Sequence, residues 1–98
     1  MKTTLIVNAT PNPDETEALA YYSKHAGAIL KAHNGKLLNR YKTMNTITKE
    51  KVNTTFMMME FEDEKIIEAL SSDAAYQELI PYRNKAFLDI TISFLEVV

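Results

Sequence analysis

Residues Val52 to Phe61 read VNTTFMMMEF, and Phe56 to Met59 within them are apolar at every position. Successive side chains of a strand point to opposite faces, so this run places bulky apolar groups on both. A central strand covered on both sides requires such a pattern. Thr3 to Ala9, TTLIVNA, is similarly rich in apolar and β-branched residues. The turn cluster TPNPDE follows it, so it predicts a first strand.

The flanking segments differ. Lys36 to Met44, KLLNRYKTM, mixes apolar with basic residues, which suits an edge strand because its charges discourage pairing with other chains. A polar stretch to Lys51 connects it to the central run. Asp89 to Glu96, DITISFLE, alternates Ile90, Ile92 and Phe94 against Thr91 and Ser93 and predicts the last strand.

Helical spacing fills the intervals. Leu19, Tyr22, Ala26, Ile29, Leu30 and His33 recur along one face, with Lys24 and Lys31 away from it. Asn12 is placed to cap this helix, Pro13 suits its first position, and Asp14 and Glu15 suit the positive end of the dipole. Asn34-Gly35 ends it, either residue tolerating the left-handed conformation. Asp63 is placed to cap a second helix with Ile66, Ile67 and Leu70 inward. Ser72 and Asp73 restart the pattern with Tyr76, Leu79 and Ile80. Pro81, which has no N–H to donate, predicts a short helix ending near Leu79 and a new turn after it.

The order strand, helix, strand, strand, helix, strand is the split arrangement of ferredoxin-like α+β folds. Right-handed crossovers put the first and third strands in the middle of an antiparallel four-stranded sheet. The helices then cover one face only. The other face must carry one apolar set from Leu5 and Val7 or Ile6, and one from Met57 and Met59 or Phe56 and Met58. Such a surface exceeds what monomers commonly expose, whereas a standard interface buries about 800 Å² per partner. A homodimer joined sheet to sheet is the expectation.

Composition narrows the classes. Ninety-eight residues, 46% hydrophobic and 24% charged with two glycines and three prolines, predict one domain spanning 1–98. Its folding would bury roughly 65% of the unfolded surface. A net charge of −2, with eleven basic residues spread along the chain, argues against a nucleic-acid partner. The apolar run in MKTTLIVNATPNP is too short for a secretory signal or a membrane span, so a cytoplasmic protein without membrane attachment is expected. With no cysteine there are no disulfides or thiolate sites.

Three phrases, AHNGKLLNR (32–40), MMMEFEDEKIIEAL (57–70) and DAAYQELIPYR (73–83), resemble a known family. It is the domain of unknown function numbered 1330, within the ferredoxin-like, dimeric α/β-barrel superfamily. The resemblance implies a small dimer with a cleft between sheet and helices. It implies no specific activity, although related families include cofactor-free monooxygenases and isomerases. The chain departs from the pattern between Met44 and Val52, where many relatives carry a tryptophan-bearing loop.

Residues able to carry chemistry are few. His33, in the last helical turn, and His25, on the helix flank, are the candidate bases. Each also has an ordinary role as a packing or capping residue. Eight residues separate them, about 12 Å along the axis, too far to share one metal. No metal site and no bound cofactor are expected. Arg40, in phase with Leu38, and Arg83 offer planar forks that match a carboxylate. Tyr22 lies on the buried helical stripe and, with Asn8, Arg40, Tyr82 and Arg83, is a candidate ligand contact. Tyr76 and Tyr82 suit either packing or ligand orientation, and Asn8 needs a partner if buried. Tyr82 and Arg83 are expected to line the cleft or the dimer seam. No GxSxG or glycine-rich phosphate loop is present. The pattern predicts a dimer that binds a small, partly apolar or anionic molecule between sheet and helices. The alternatives are a cofactor-free enzyme with a histidine base and an arginine, or a structural interaction module.

Overall fold

The computed structural model describes residues 2–48 and 52–98. The elements run β1 (Thr3–Pro11), α1 (Thr16–Ala32), β2 (Lys36–Lys42), β3 (Thr55–Phe61), α2 (Ile66–Ser71), α3 (Ala74–Ala86) and β4 (Phe87–Leu95). The four strands form an antiparallel sheet in the order β2-β3-β1-β4, with the two apolar strands central as their composition requires. This is the ferredoxin-like arrangement, with its second helix divided into α2 and α3. The expected connection to β3 through Lys51 lies partly outside the described residues.

Strand alternation divides the sheet cleanly. Thr3, Leu5 and Ala9 of β1 are buried under the helices, and the register places Phe61, Met59 and Met57 beside Thr3, Leu5 and Val7. Ile6 pairs with Met58 and Asn8 with Phe56 on the opposite face, which no helix among the described residues covers. The core joins Leu5, Met59 and Phe61 to Tyr22, Ala26 and Leu30 of α1, Ile66 and Leu70 of α2, and Tyr76 and Leu79 of α3. Ile67, expected inward, is exposed because it lies one position off that stripe.

The helix ends show which local signals operate. α1 begins at Thr16, later than a cap at Asn12 would start it. Asn12 Oδ1 instead accepts the Asp14 N–H at 3.0 Å and its carbonyl the Glu15 N–H at 3.1 Å, forming a turn ahead of the helix. At the other end Asn34 takes the left-handed conformation (φ 65°). The Gly35 N–H bonds to the Leu30 carbonyl and the Asn34 N–H to that of Lys31, both at 2.9 Å. Together they make a Schellman closure. Asp73 caps α3 by accepting the Tyr76 N–H at 3.0 Å.

Pro81 does not end a helix. α3 runs through it from Ala74 to Ala86. The proline denies a donor to the Gln77 carbonyl, but both residues are exposed, so water is available to that carbonyl and the cost of an interior proline falls.

Candidate functional site

A cavity of about 590 Å³ lies between α1 and the covered face of the sheet. Its floor is Leu5, Val7 and Ala9 of β1, Met57 and Met59 of β3, and Ile90 and Ile92 of β4. Leu19, Tyr22, Ala26 and Leu30 of α1 close it from above. One flank opens between α1 and β2, where Ser23, Gly27 and Lys31 face Leu37 and Arg40. These three α1 residues recur at a spacing of four, so they share a second stripe beside the apolar one. Lys31, expected away from the working face, is the basic end of that stripe.

Arg40 reaches this flank through a register change. β2 carries an irregularity between Leu37 and Asn39, so Leu37 pairs with Met59, Asn39 with Met58 and Arg40 with Met57. Leu38 is the extra residue, and strict alternation from Leu37 would have turned Arg40 to the uncovered face. Arg40 therefore shares a face with Leu37, correcting the expected phase with Leu38.

At the other side of the cavity, Tyr22 and Tyr76 place their hydroxyls 2.9 Å apart, and Arg83 Nη1 donates to the Tyr76 hydroxyl at 3.0 Å. Both rings are buried, and Phe87 packs edge-on against Tyr22 with centroids 5.7 Å apart. Burial pushes the Tyr22 phenol well above its ordinary range, the Tyr76 hydrogen bond adds to the rise, and Arg83 opposes it.

The remaining candidates lie elsewhere. His33 Nε2 sits 2.9 Å from Asp73 Oδ2, joining the end of α1 to the cap of α3. That hydrogen bond, followed by the Tyr76 N–H, holds the Asp73 carboxyl below its usual range. His25 stacks on exposed Tyr21 at 4.2 Å, and Tyr82 lies on the other contact of the same ring at 4.3 Å. Neither histidine lines the cavity. Asn8 is on the uncovered face, paired in register with Phe56 and Thr91, and its Oδ1 is buried without a hydrogen-bond partner among the described residues. The structure thus brings Tyr22 and Arg40 to one cavity with Arg83 behind Tyr76, and leaves His25, His33, Tyr82 and Asn8 outside it. Among the described residues, no group of three His, Cys, Asp or Glu side chains could hold a metal ion. No helix there is long and apolar enough to cross a membrane.

A family model described as Domain of unknown function (DUF1330) matches residues 4–97. The chain belongs to the DUF1330 family. Solved structures similar to this DUF1330 chain carry the same fold. A protein of unknown function from Rhodopseudomonas palustris superposes with a TM-score of 0.79 at 17% identity, over 99% of this chain and 82% of that one. A dimeric ferredoxin-like protein of unknown function from Jannaschia sp. CCS1 gives 0.69 at 12% identity, over 99% and 100% of the two chains. Another dimeric protein of unknown function, from Bacteroides fragilis NCTC 9343, gives 0.62 at 9% identity, over 98% and 96%. No curated protein matches the chain.

Proposed function

We propose that this chain is a small-molecule-binding protein that acts as a homodimer and holds a compact, partly apolar anion between α1 and the sheet. The lining carries this reading. It is mainly aliphatic and aromatic, it includes the cations Lys31 and Arg40, and among the described residues no Asp, Glu or His contributes to it. An apolar cavity with a few convergent polar groups is the usual form of a ligand site, and a guanidinium fork fits a carboxylate.

The dimer is supported by the uncovered face, where Ile6, Phe56 and Met58 are only half-buried within one protomer. The solved relatives from Jannaschia and Bacteroides fragilis are dimeric. A second protomer on that face would also enclose Asn8, whose buried Oδ1 has no hydrogen-bond partner among the described residues. An enzyme with a histidine base has less support, because His33 is engaged by Asp73 and His25 stands on the outer surface.

Thermal unfolding with phenylacetate, 4-phenylbutyrate and 2-phenylethylammonium tests the ligand reading. Saturation at about 100 times Kd stabilises the native state by about 2.7 kcal/mol. The carboxylates should raise Tm, the ammonium should not, and Arg40→Ala should weaken carboxylate binding about tenfold or more. No rise with any aromatic carboxylate contradicts the reading.

A further inference from the structure

We infer that Tyr22 and Tyr76 form a hydrogen-bond-donating end of the cavity, polarised by Arg83 and selective for a ligand that presents a carbonyl or carboxylate oxygen. The inference rests on the binding role proposed above for this cavity.

A guanidinium only donates, so the direction of the bond from Arg83 to the Tyr76 hydroxyl is fixed. The two phenols carry two protons, and their mutual contact at 2.9 Å uses one. If Tyr76 donates to Tyr22, the proton left over is that of Tyr22; if the bond runs the other way, it is that of Tyr76. In either case one O–H has no acceptor among the described residues. Both tyrosines line the cavity and both are buried. A ligand that fills the cavity and displaces water must supply an acceptor for that proton or leave it unpaired at a cost, so a ligand oxygen is favoured there.

Arg83 sharpens the preference. It forms no ion pair among the described residues, and its guanidinium carbon lies 5.9 Å from the Tyr76 ring centroid. An uncompensated cation behind a chain of hydroxyls polarises each of them toward donation. Arg83 is thus a positioning residue, and the phenols are the contacting groups. The pair favours an electron-rich oxygen over a group that can only donate, such as an ammonium. A hydrocarbon of the same shape leaves the proton unpaired.

Acetophenone labelled with 13C at its carbonyl, and ethylbenzene as its matched hydrocarbon, test this on the full chain. The carbonyl stretch of bound acetophenone should fall below its value in hexane, and by less in Arg83→Met. This reading on the unaltered chain needs no variant. In the double variant Tyr22→Phe/Tyr76→Phe, the ratio of acetophenone to ethylbenzene affinity should fall about tenfold. A bound carbonyl with a hexane-like frequency, or a ratio equal in both proteins, overturns the inference while leaving cavity binding intact. Failure of the unaltered chain to bind acetophenone also overturns this inference, whereas the cavity reading falls only if phenylacetate gives no rise in Tm either.

Discussion

Replacing Gly35 by alanine tests the packing at the closed end of the cavity. A Cβ there would lie 2.7 Å from both Cε1 and Cζ of Phe61 and 2.9 Å from the Leu30 carbonyl oxygen. Neither neighbour can yield readily. Phe61 is only 2% exposed and packs edge-on against Phe94, while the Leu30 carbonyl accepts the Gly35 N–H itself. Gly35 does not have a positive φ, so the penalty is one of space rather than backbone conformation. Overpacking a filled core costs about 1–3 kcal/mol. At about 4–8 °C per kcal/mol for a domain of this size, a loss near the middle of that range lowers Tm by about 8–16 °C. Gly27→Ala is the internal contrast. Its Cβ meets nothing within 4 Å, and alanine in a helix interior gains about 1 kcal/mol over glycine. Calorimetry should show Gly35→Ala melting well below the parent and Gly27→Ala a few degrees above it. A Gly35→Ala melting point within 2 °C of the parent would refute the packing described, on the order of 0.5 kcal/mol being the smallest effect worth separating.

Leu5→Ala should destabilise by about 2–5 kcal/mol in urea titration, because Leu5 is 1% exposed beneath the helices, flanked by Met59 and Phe94 on the adjoining strands. Removing the imidazole in His33→Ala should raise the Asp73 carboxyl toward its ordinary value by carbon-detected NMR titration, since that hydrogen bond is the largest cause of its depression. A depressed carboxyl stabilises the fold above its unfolded pKa and loses that contribution as pH falls through the folded value, so Asp73→Asn should flatten the acid limb of the stability curve. Tyr22 has the opposite sign. Its raised phenol favours folding below about pH 10, the contribution fades as pH climbs through the folded value, and Tyr22→Phe should reduce the alkaline slope.

The sheet order was legible because Phe56–Met59 and Leu5–Val7 are apolar on consecutive positions, which only the central strands β3 and β1 can accommodate. Asp73 and Asn34 were legible as helix ends because a short carboxylate and an amide residue act locally, through bonds to backbone a few residues away. Local chemistry misled at Asn12, whose side chain closes a turn before α1, and at Pro81, whose solvent position makes an interior proline tolerable. The cavity itself was expected from the family resemblance, but its polar groups were only partly visible. The extra residue at Leu38 reverses the face of Arg40 without any glycine to announce it. The Tyr22–Tyr76 contact joins residues 54 apart in sequence, and periodicity within one helix says nothing about which hydroxyl on another will meet it. Lys31 looked peripheral because the second stripe of α1 is polar and small, and only the open side of β2 turns it into a cavity wall.

The methionine triplet allows the most direct test of the binding account. Met57 and Met59 line the cavity, Met58 alternates to the uncovered face, and Met44 is fully exposed. With methionine methyls labelled by 13C, titration with phenylacetate should move the Met57 and Met59 resonances along saturable curves and leave Met58 and Met44 in place. Shifts confined to Met58 or Met44, or none at all at millimolar ligand, would contradict a site between α1 and the sheet.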